Sequence, residues 1–183
     1  MRLVLALALA VLASACTVVT TAEPLGTHPA ALEPAEWDGT WLHAEGAVFL
    51  KVTDAAAGRM QLVALDESDG DDALTARTIR VEVLGHDGWL FANLVVDEEP
   101  DTTYWVRLKR EGRQLLAWLP SPEAVAEVVR AGHLPGEVDE HGNVHLAPLD
   151  DAGLRVITDS THGILVDWEL PLALLRMSDK AGL

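Results

Sequence analysis

The chain has 183 residues, with 29 acidic against 13 basic side chains, a formal net charge of −16 at pH 7 and a single cysteine. This length suits one ordinary domain, and the negative charge excludes nucleic acid as a partner because a phosphate backbone requires clustered Lys and Arg. One cysteine excludes an internal disulfide and any zinc site built from two or more thiolates.

The first fifteen residues have the features of a secretory signal peptide. Arg2 precedes an unbroken apolar run from Leu3 to Ala13, and the small residues Ser14 and Ala15 follow. As a helix this run is about 16 Å long, whereas the hydrocarbon core of a bilayer is about 30 Å thick. We therefore predict that residues 1–15 are a cleaved signal and not a transmembrane helix.

The next residue is the cysteine. The sequence Leu12-Ala13-Ser14-Ala15-Cys16 resembles the lipobox of bacterial lipoproteins, although the family usually places Leu three residues before the Cys and Leu12 lies four before it. The resemblance implies cleavage before Cys16, lipidation of Cys16 and, from Thr17, sorting to the periplasmic side of the outer membrane. The membrane would then be a partner through the lipid anchor. The alternative is an ordinary secretory signal with an unmodified Cys16.

Residues 16–36 are predicted to be the lipidated Cys and a flexible tether. Pro24, Pro29 and Pro34 occur among Thr and Ala, without an apolar period. Such composition favours a partly polyproline II linker. The alternative is an N-terminal arm that packs on the domain.

Residues 37–183 are predicted to form a single β-rich domain. Apolar and polar residues alternate over 48–53, 78–83 and 104–109, as in half-buried strands. Turn-forming pairs such as Ala57-Gly58 and Asp87-Gly88 separate them. Further apolar runs lie at 60–65, 89–96, 115–119, 164–166 and 172–175. The pattern predicts a mainly β (α+β) domain, an antiparallel sheet or partly closed barrel of about eight to ten short strands.

Helix signals are strongest near 121–131. Ser121 can cap a helix that begins with Pro122, a valine stripe follows, and Gly132 ends it. A helix of this length needs the sheet to pack against. Residues 151–157 predict a second, weaker helix, and the alternative is a strand over 154–157.

Two further segments resemble known families. The stretch from Tyr104 to Val138, with the tail 166–176, resembles small uncharacterised bacterial envelope proteins. Gly39-Thr40-Trp41 is similar to the Gly-x-Trp start of the lipocalin superfamily, in which the Trp closes the base of a barrel. Neither resemblance implies a catalytic residue.

Tryptophans are the candidate ligand-binding residues, and we single out Trp41, Trp105 and Trp118. Trp105 is out of phase with Tyr104 and Val106, so it belongs to the opposite face of its strand. Indole rings can line a ligand cavity, but they also pack in cores. Core packing is therefore the alternative interpretation.

Polar clusters give weaker signals. Asp139, Glu140, His141 and His145 include metal-ligand types, but a turn separates the histidines, so we predict no metal site. The acidic run 66–72 does not match a calcium loop, and residues 159–162 place Asp, Ser and His too close in sequence for a catalytic triad. We predict no cofactor and no enzymatic activity.

The sequence thus predicts a lipid-anchored periplasmic protein with a non-catalytic binding or envelope-structural role. Its partner would be an envelope protein or a small apolar ligand. One alternative is a lipocalin-like carrier, which needs an interior void of roughly 300 Å³ or more. A second alternative is a metal-dependent hydrolase.

Overall fold

The computed structural model describes residues 17–44, 46–67, 74–97, 100–159, 164, 168–169 and 171–177. The predicted signal peptide, Cys16 and residues 160–162 lie outside these ranges. None of the helices in the described ranges is long and apolar enough to cross a membrane.

The described residues form twelve strands and three short helices. The strands are β1 (Val19–Thr21), β2 (His28–Pro29), β3 (Gly39–His43), β4 (Gly46–Asp54), β5 (Arg59–Glu67), β6 (Leu74–His86), β7 (Trp89–Val96), β8 (Thr103–Glu111), β9 (Gln114–Trp118), β10 (Gly136–Val138), β11 (Val144–Leu146) and β12 (Leu172–Arg176). The helices are α1 (Pro34–Trp37), α2 (Pro122–Arg130) and α3 (Asp151–Thr158).

Eight of the strands close into an antiparallel barrel. Their order is β8-β7-β6-β5-β4-β3-β12-β9, and β9 pairs back onto β8. The mainly β, antiparallel prediction is therefore confirmed, and the barrel is fully closed. An eight-stranded barrel has an interior that side chains can fill or that holds one small ligand.

Local signals account for the turns and helices. Asp87 and Gly88 both have positive φ, 47° and 81°, which is the geometry of the type I′ turn predicted between β6 and β7. Ser121 caps α2 by accepting a hydrogen bond from the backbone N–H of Ala124 at 3.4 Å. Residues 151–157 are helical, in α3, so the strand interpretation is wrong. Ile164 lies outside any strand, in contrast to the run predicted at 164–166, of which the other two residues are not described.

The alternation in the sequence sorts side chains to the two faces of the barrel wall. On β4, Leu50 and Val52 are buried inside, whereas Phe49 and Lys51 are exposed outside. In all eight barrel strands, alternate side chains point into the barrel interior in this way. This inner core includes Trp37, Trp41, Leu50, Met60, Leu62, Ile79, Val81, Val83, Ala92, Leu108, Leu115 and Leu174.

A second core lies outside the barrel, against β7, β8 and β9. There the outward side chains are also apolar, and they are covered by β1, β11, the helices α2 and α3, and Ile164. Its buried members include Val19, Leu25, Phe91, Trp105, Trp118, Val125, Leu134, Val144, Leu146, Leu154 and Ile157. One part of the wall therefore separates two apolar cores.

Residues 17–36 pack on the domain, so the flexible tether predicted for this segment is wrong and the packed-arm alternative is correct. β1 pairs with both β8 and β11, and β2 pairs with β6. Leu25 and Leu32 are 1% and 2% exposed. The segment is ordered by partners distant in sequence, which its own composition does not reveal.

Asn93 fixes the arm to the barrel. Its side-chain oxygen accepts a hydrogen bond from the backbone N–H of Leu25 at 2.7 Å, and its amide donates to the Leu25 carbonyl at 3.0 Å. Asn93 is itself buried, so both backbone groups of Leu25 would lose their partner without it.

We predict that Asn93→Ala lowers the free energy of unfolding by about 1–3 kcal/mol, because it leaves buried backbone groups unsatisfied. Urea unfolding followed by tryptophan fluorescence measures the change. Gln61→Ala, on the exposed face of β5, is the control and should leave the midpoint unchanged. Equal midpoints for the wild type and Asn93→Ala would show that the arm is not held in this way.

Candidate functional site

The barrel interior contains a cavity of about 90 Å³. Its walls come from all eight barrel strands, and α1 contributes at one end. The lining residues are Trp37, His43, Gly46, Ala47, Val48, Leu50, Met60, Leu62, Ala64, Val81, Ala92, Leu94, Val106, Leu108, Leu115, Ala117, Leu119, Leu172 and Leu174. Apart from His43, every lining side chain is apolar, so the cavity favours an apolar occupant.

Hydrogen bonds close the base of the barrel, at the end where β3 begins. Trp41 points inward, is 0% exposed and donates through Nε1 to the carbonyl of Trp37 in α1 at 2.9 Å. Arg176 donates to the carbonyls of Ala35 and Asp38, each at 2.6 Å. Since these bonds join α1 to β3 and β12, the helix is held across the end of the barrel.

Asp38 adds a further link between this end and β4. Its carboxylate accepts hydrogen bonds from the side chain of Lys51 and, at 2.7 Å, from the backbone N–H of Val52. Burial raises the pKa of Asp38, but these two hydrogen bonds and the charges of Lys51 and Arg176 outweigh it and hold the pKa below its ordinary value. Asp38 therefore stays ionised at neutral pH.

The opposite end of the barrel is where β3 turns into β4. His43, Gly46 and Leu172 line the cavity there and are half-buried. The cavity is accordingly open to solvent at this end. His43 places an imidazole at the mouth, next to otherwise apolar walls.

The structure does not bring the three predicted tryptophans together. Trp41 lies at the barrel base but is not among the cavity-lining residues, and Trp105 and Trp118 lie in the outer core. The parity of β8 predicted that Trp105 faces away from Val106. It did not show that this outer face is covered, and Trp105 is 1% exposed. All three are buried members of the two cores.

Sequence reasoning missed the residues that line the cavity. Trp37 is the indole that contacts it, and small side chains such as Ala64, Ala92 and Ala117 leave its space unfilled. The available signal was alanine at inward positions of strands that otherwise carry Leu and Val. Alanine at these positions indicates unfilled space only if the barrel closes, because in an open sheet the same side chain would face a different neighbour.

Three tryptophan side chains surround one cation on the outer wall. Arg107 points outward from β8, and its Cζ lies 4.2, 4.4 and 4.8 Å from the ring centroids of Trp89, Trp118 and Trp168. Phe91 stacks on Trp89 with 6.0 Å between ring centroids. The sequence did not single out Arg107 because its aromatic partners come from three separate segments.

The acidic and histidine side chains of residues 139–145 do not come together at one point. Asp139 instead closes the turn between β10 and β11 by accepting hydrogen bonds from Asn143 and His141. The hydrogen bond from the Asn143 side chain lowers the pKa of Asp139. Burial acts in the opposite direction, but the backbone hydrogen bonds from Asn143 and His141 also lower it, so the pKa lies below its ordinary value. His145 instead contacts Thr20 at 2.8 Å. In the described part of the chain, no three His, Cys, Asp or Glu side chains could hold one metal ion.

Comparisons with known proteins add no assignment. No protein-family model matches the chain, and neither a curated protein nor a solved structure matches it significantly.

Proposed function

We propose that this protein is a lipid-anchored binding protein of the bacterial envelope, with a barrel that accepts one small apolar group. The cavity carries this proposal: its walls are apolar, its base is closed by α1 and Trp41, and its other end is open. Small-molecule sites are typically concave and apolar with few polar groups. Here His43 at the mouth is the polar group that could orient a ligand.

The volume restricts the ligand. About 90 Å³ is well below the roughly 300 Å³ expected for a carrier of drug-sized molecules. It is closer to engineered cavities of about 150 Å³, which bind benzene. The interior therefore fits one small ring or the end of a single alkyl chain, with the rest of a longer ligand outside the mouth.

No observation favours a hydrolase. Among the described residues, the cavity lining contains no carboxylate and no hydroxyl or thiol nucleophile, and His43 is its one titratable group. Nucleophilic catalysis needs a nucleophile, commonly activated by an adjacent base. A binding role requires neither.

The cavity proposal predicts that medium-chain n-alkanols bind inside the barrel. Titration of the folded chain with n-hexanol, followed by methyl NMR, should shift the resonances of Leu108 and Leu115 saturably. Ala92→Leu puts a larger side chain into the cavity and should weaken binding by at least about tenfold, or about 1.4 kcal/mol.

Ala76→Leu is the matched control, since Ala76 lies on the exposed face of β6. It should bind n-hexanol as the wild type does. Failure of the wild-type methyl resonances to shift, or equal affinity in Ala92→Leu, would refute a ligand site in the barrel.

The anchor is supported by the lipobox-like sequence before Cys16, the one cysteine of the chain. The packed arm changes what such an anchor would do. Between Cys16 and β1 lie residues 17 and 18, and the backbone N–H of Val18 is bound by the Asn143 side chain at 3.0 Å. An acylated Cys16 would hold the domain directly against the bilayer, with no long linker between them.

We therefore predict that Cys16→Ser moves the protein from the membrane fraction to the soluble periplasmic fraction, because the covalent anchor is lost. Labelling with an alkyne-bearing palmitate should mark the wild type and not the variant. Ser14→Ala, which keeps a small residue before the cysteine, is the control. Unchanged membrane association of Cys16→Ser would contradict lipid anchoring and leave the cavity proposal unaffected.

A further inference from the structure

The Arg107 side chain is the most unusual cation of the described structure. Its guanidinium lies among the indoles of Trp89, Trp118 and Trp168, with Cζ 4.2–4.8 Å from their centroids. We call these four residues the Arg107 cage. Trp89 and Trp168 meet edge to face at 5.3 Å between centroids, and Trp118 donates through Nε1 to the Trp168 carbonyl at 3.3 Å. The rings of the cage are thus fixed by contacts with one another.

The cage covers the faces of the guanidinium but leaves its Nε–H unpaired. Within the described residues, Nε of Arg107 is buried without a hydrogen-bond partner, and so is Nε1 of Trp168. Both atoms are donors. Buried polar groups nearly always have a partner, and two unpaired donors in one cluster indicate that an acceptor belongs there.

The charge of Arg107 is also uncompensated within the described residues. Some other arginines pair with carboxylates, as Arg59 does with Glu82 and Arg80 with Asp97. No ion pair joins Arg107 to a carboxylate in the described ranges, although the chain has 29 acidic residues. Burial lowers the pKa of Arg107, in keeping with a cation that is partly removed from water and has no carboxylate partner among the described residues.

We propose that the Arg107 cage binds an oxyanion, a carboxylate or a phosphate group, on the outer wall of the barrel. The planar fork of a guanidinium matches both groups, and stacked indoles hold the fork in one orientation. Arg107 is half-buried, so part of the residue remains accessible to an anion from solvent. The anion accepts hydrogen bonds from Arg107 and from Nε1 of Trp168.

This site is separate from the barrel cavity. Arg107 faces outward on β8, whereas Val106 and Leu108 on either side face inward and line the cavity. The two sites occupy opposite faces of the same strand. Anion binding at the cage therefore does not depend on a ligand in the barrel.

The test is a titration of the folded chain with inorganic phosphate and, in a second arm, with acetate, each at constant ionic strength set with NaCl. The readouts are the NMR resonances of the Arg107 Nε–H and the Trp168 Nε1–H. Both should shift saturably with at least one of the anions. The anion that saturates the shifts at the lower concentration shows whether the site prefers phosphate or carboxylate.

Arg107→Lys keeps the positive charge but loses the fork and the stacking, so the Trp168 shift should need at least about tenfold more anion. Arg80→Lys, at an exposed ion pair on β6, is the matched control and should titrate as the wild type does. Trp168→Phe retains a ring and removes the Nε1 donor, so it should weaken binding less than Arg107→Lys. Near-UV circular dichroism verifies that each variant folds.

Two results would overturn the proposal. One is the absence of any saturable shift with both anions in the wild type. The other is an equal response in Arg107→Lys, which would mean that the anion binds elsewhere and that the cage is a cation–π contact that stabilises the outer core.

Discussion

Pairing of β9 with β8 is the constraint on which the rest of this structure depends. Residues 107–111 of β8 pair with β9, and β12 joins β9 to β3, so the sheet closes on itself. The beginning of β8 pairs instead with β1 of the N-terminal arm. One strand therefore both closes the barrel and extends the sheet outward. Closure gives every inward side chain the same enclosed interior, and a ring of strands leaves no open edge.

The two apolar faces of the β7–β8–β9 wall explain the remaining architecture. An outer face that carries Phe91, Trp105 and Trp118 cannot remain in water, so the arm and the helices α2 and α3 cover it. The interior is filled less completely, because alanines stand at inward positions such as Ala92 and Ala117. At the rim of the outer core, Arg107 introduces a charge among aromatic rings. The two proposed binding sites thus lie on opposite faces of one wall.

Local sequence signals predicted the parts of the fold that depend on neighbouring residues. Alternation identified the inward residues of β4, and capping by Ser121 identified α2. The arm was mispredicted because Leu25 and Leu32 show no period, and their burial depends on Asn93 and on strands far along the chain. Closure and the cavity were equally beyond local patterns, since pairing of β12 with β3 joins segments that are distant in sequence. The covering of the outer face also depends on distant segments. The tryptophans therefore suggested a ligand site, although most of them pack in the outer core.

The central claim is that the closed barrel keeps an apolar, ligand-accessible space between Trp37 and the mouth. Diffraction from crystals pressurised with xenon tests it most directly, because xenon enters apolar cavities that contain no water. The account predicts a xenon atom inside the barrel, in contact with Ala92, Leu108 and Leu115. A barrel interior that takes up no xenon, or is filled by rearranged side chains, would contradict it.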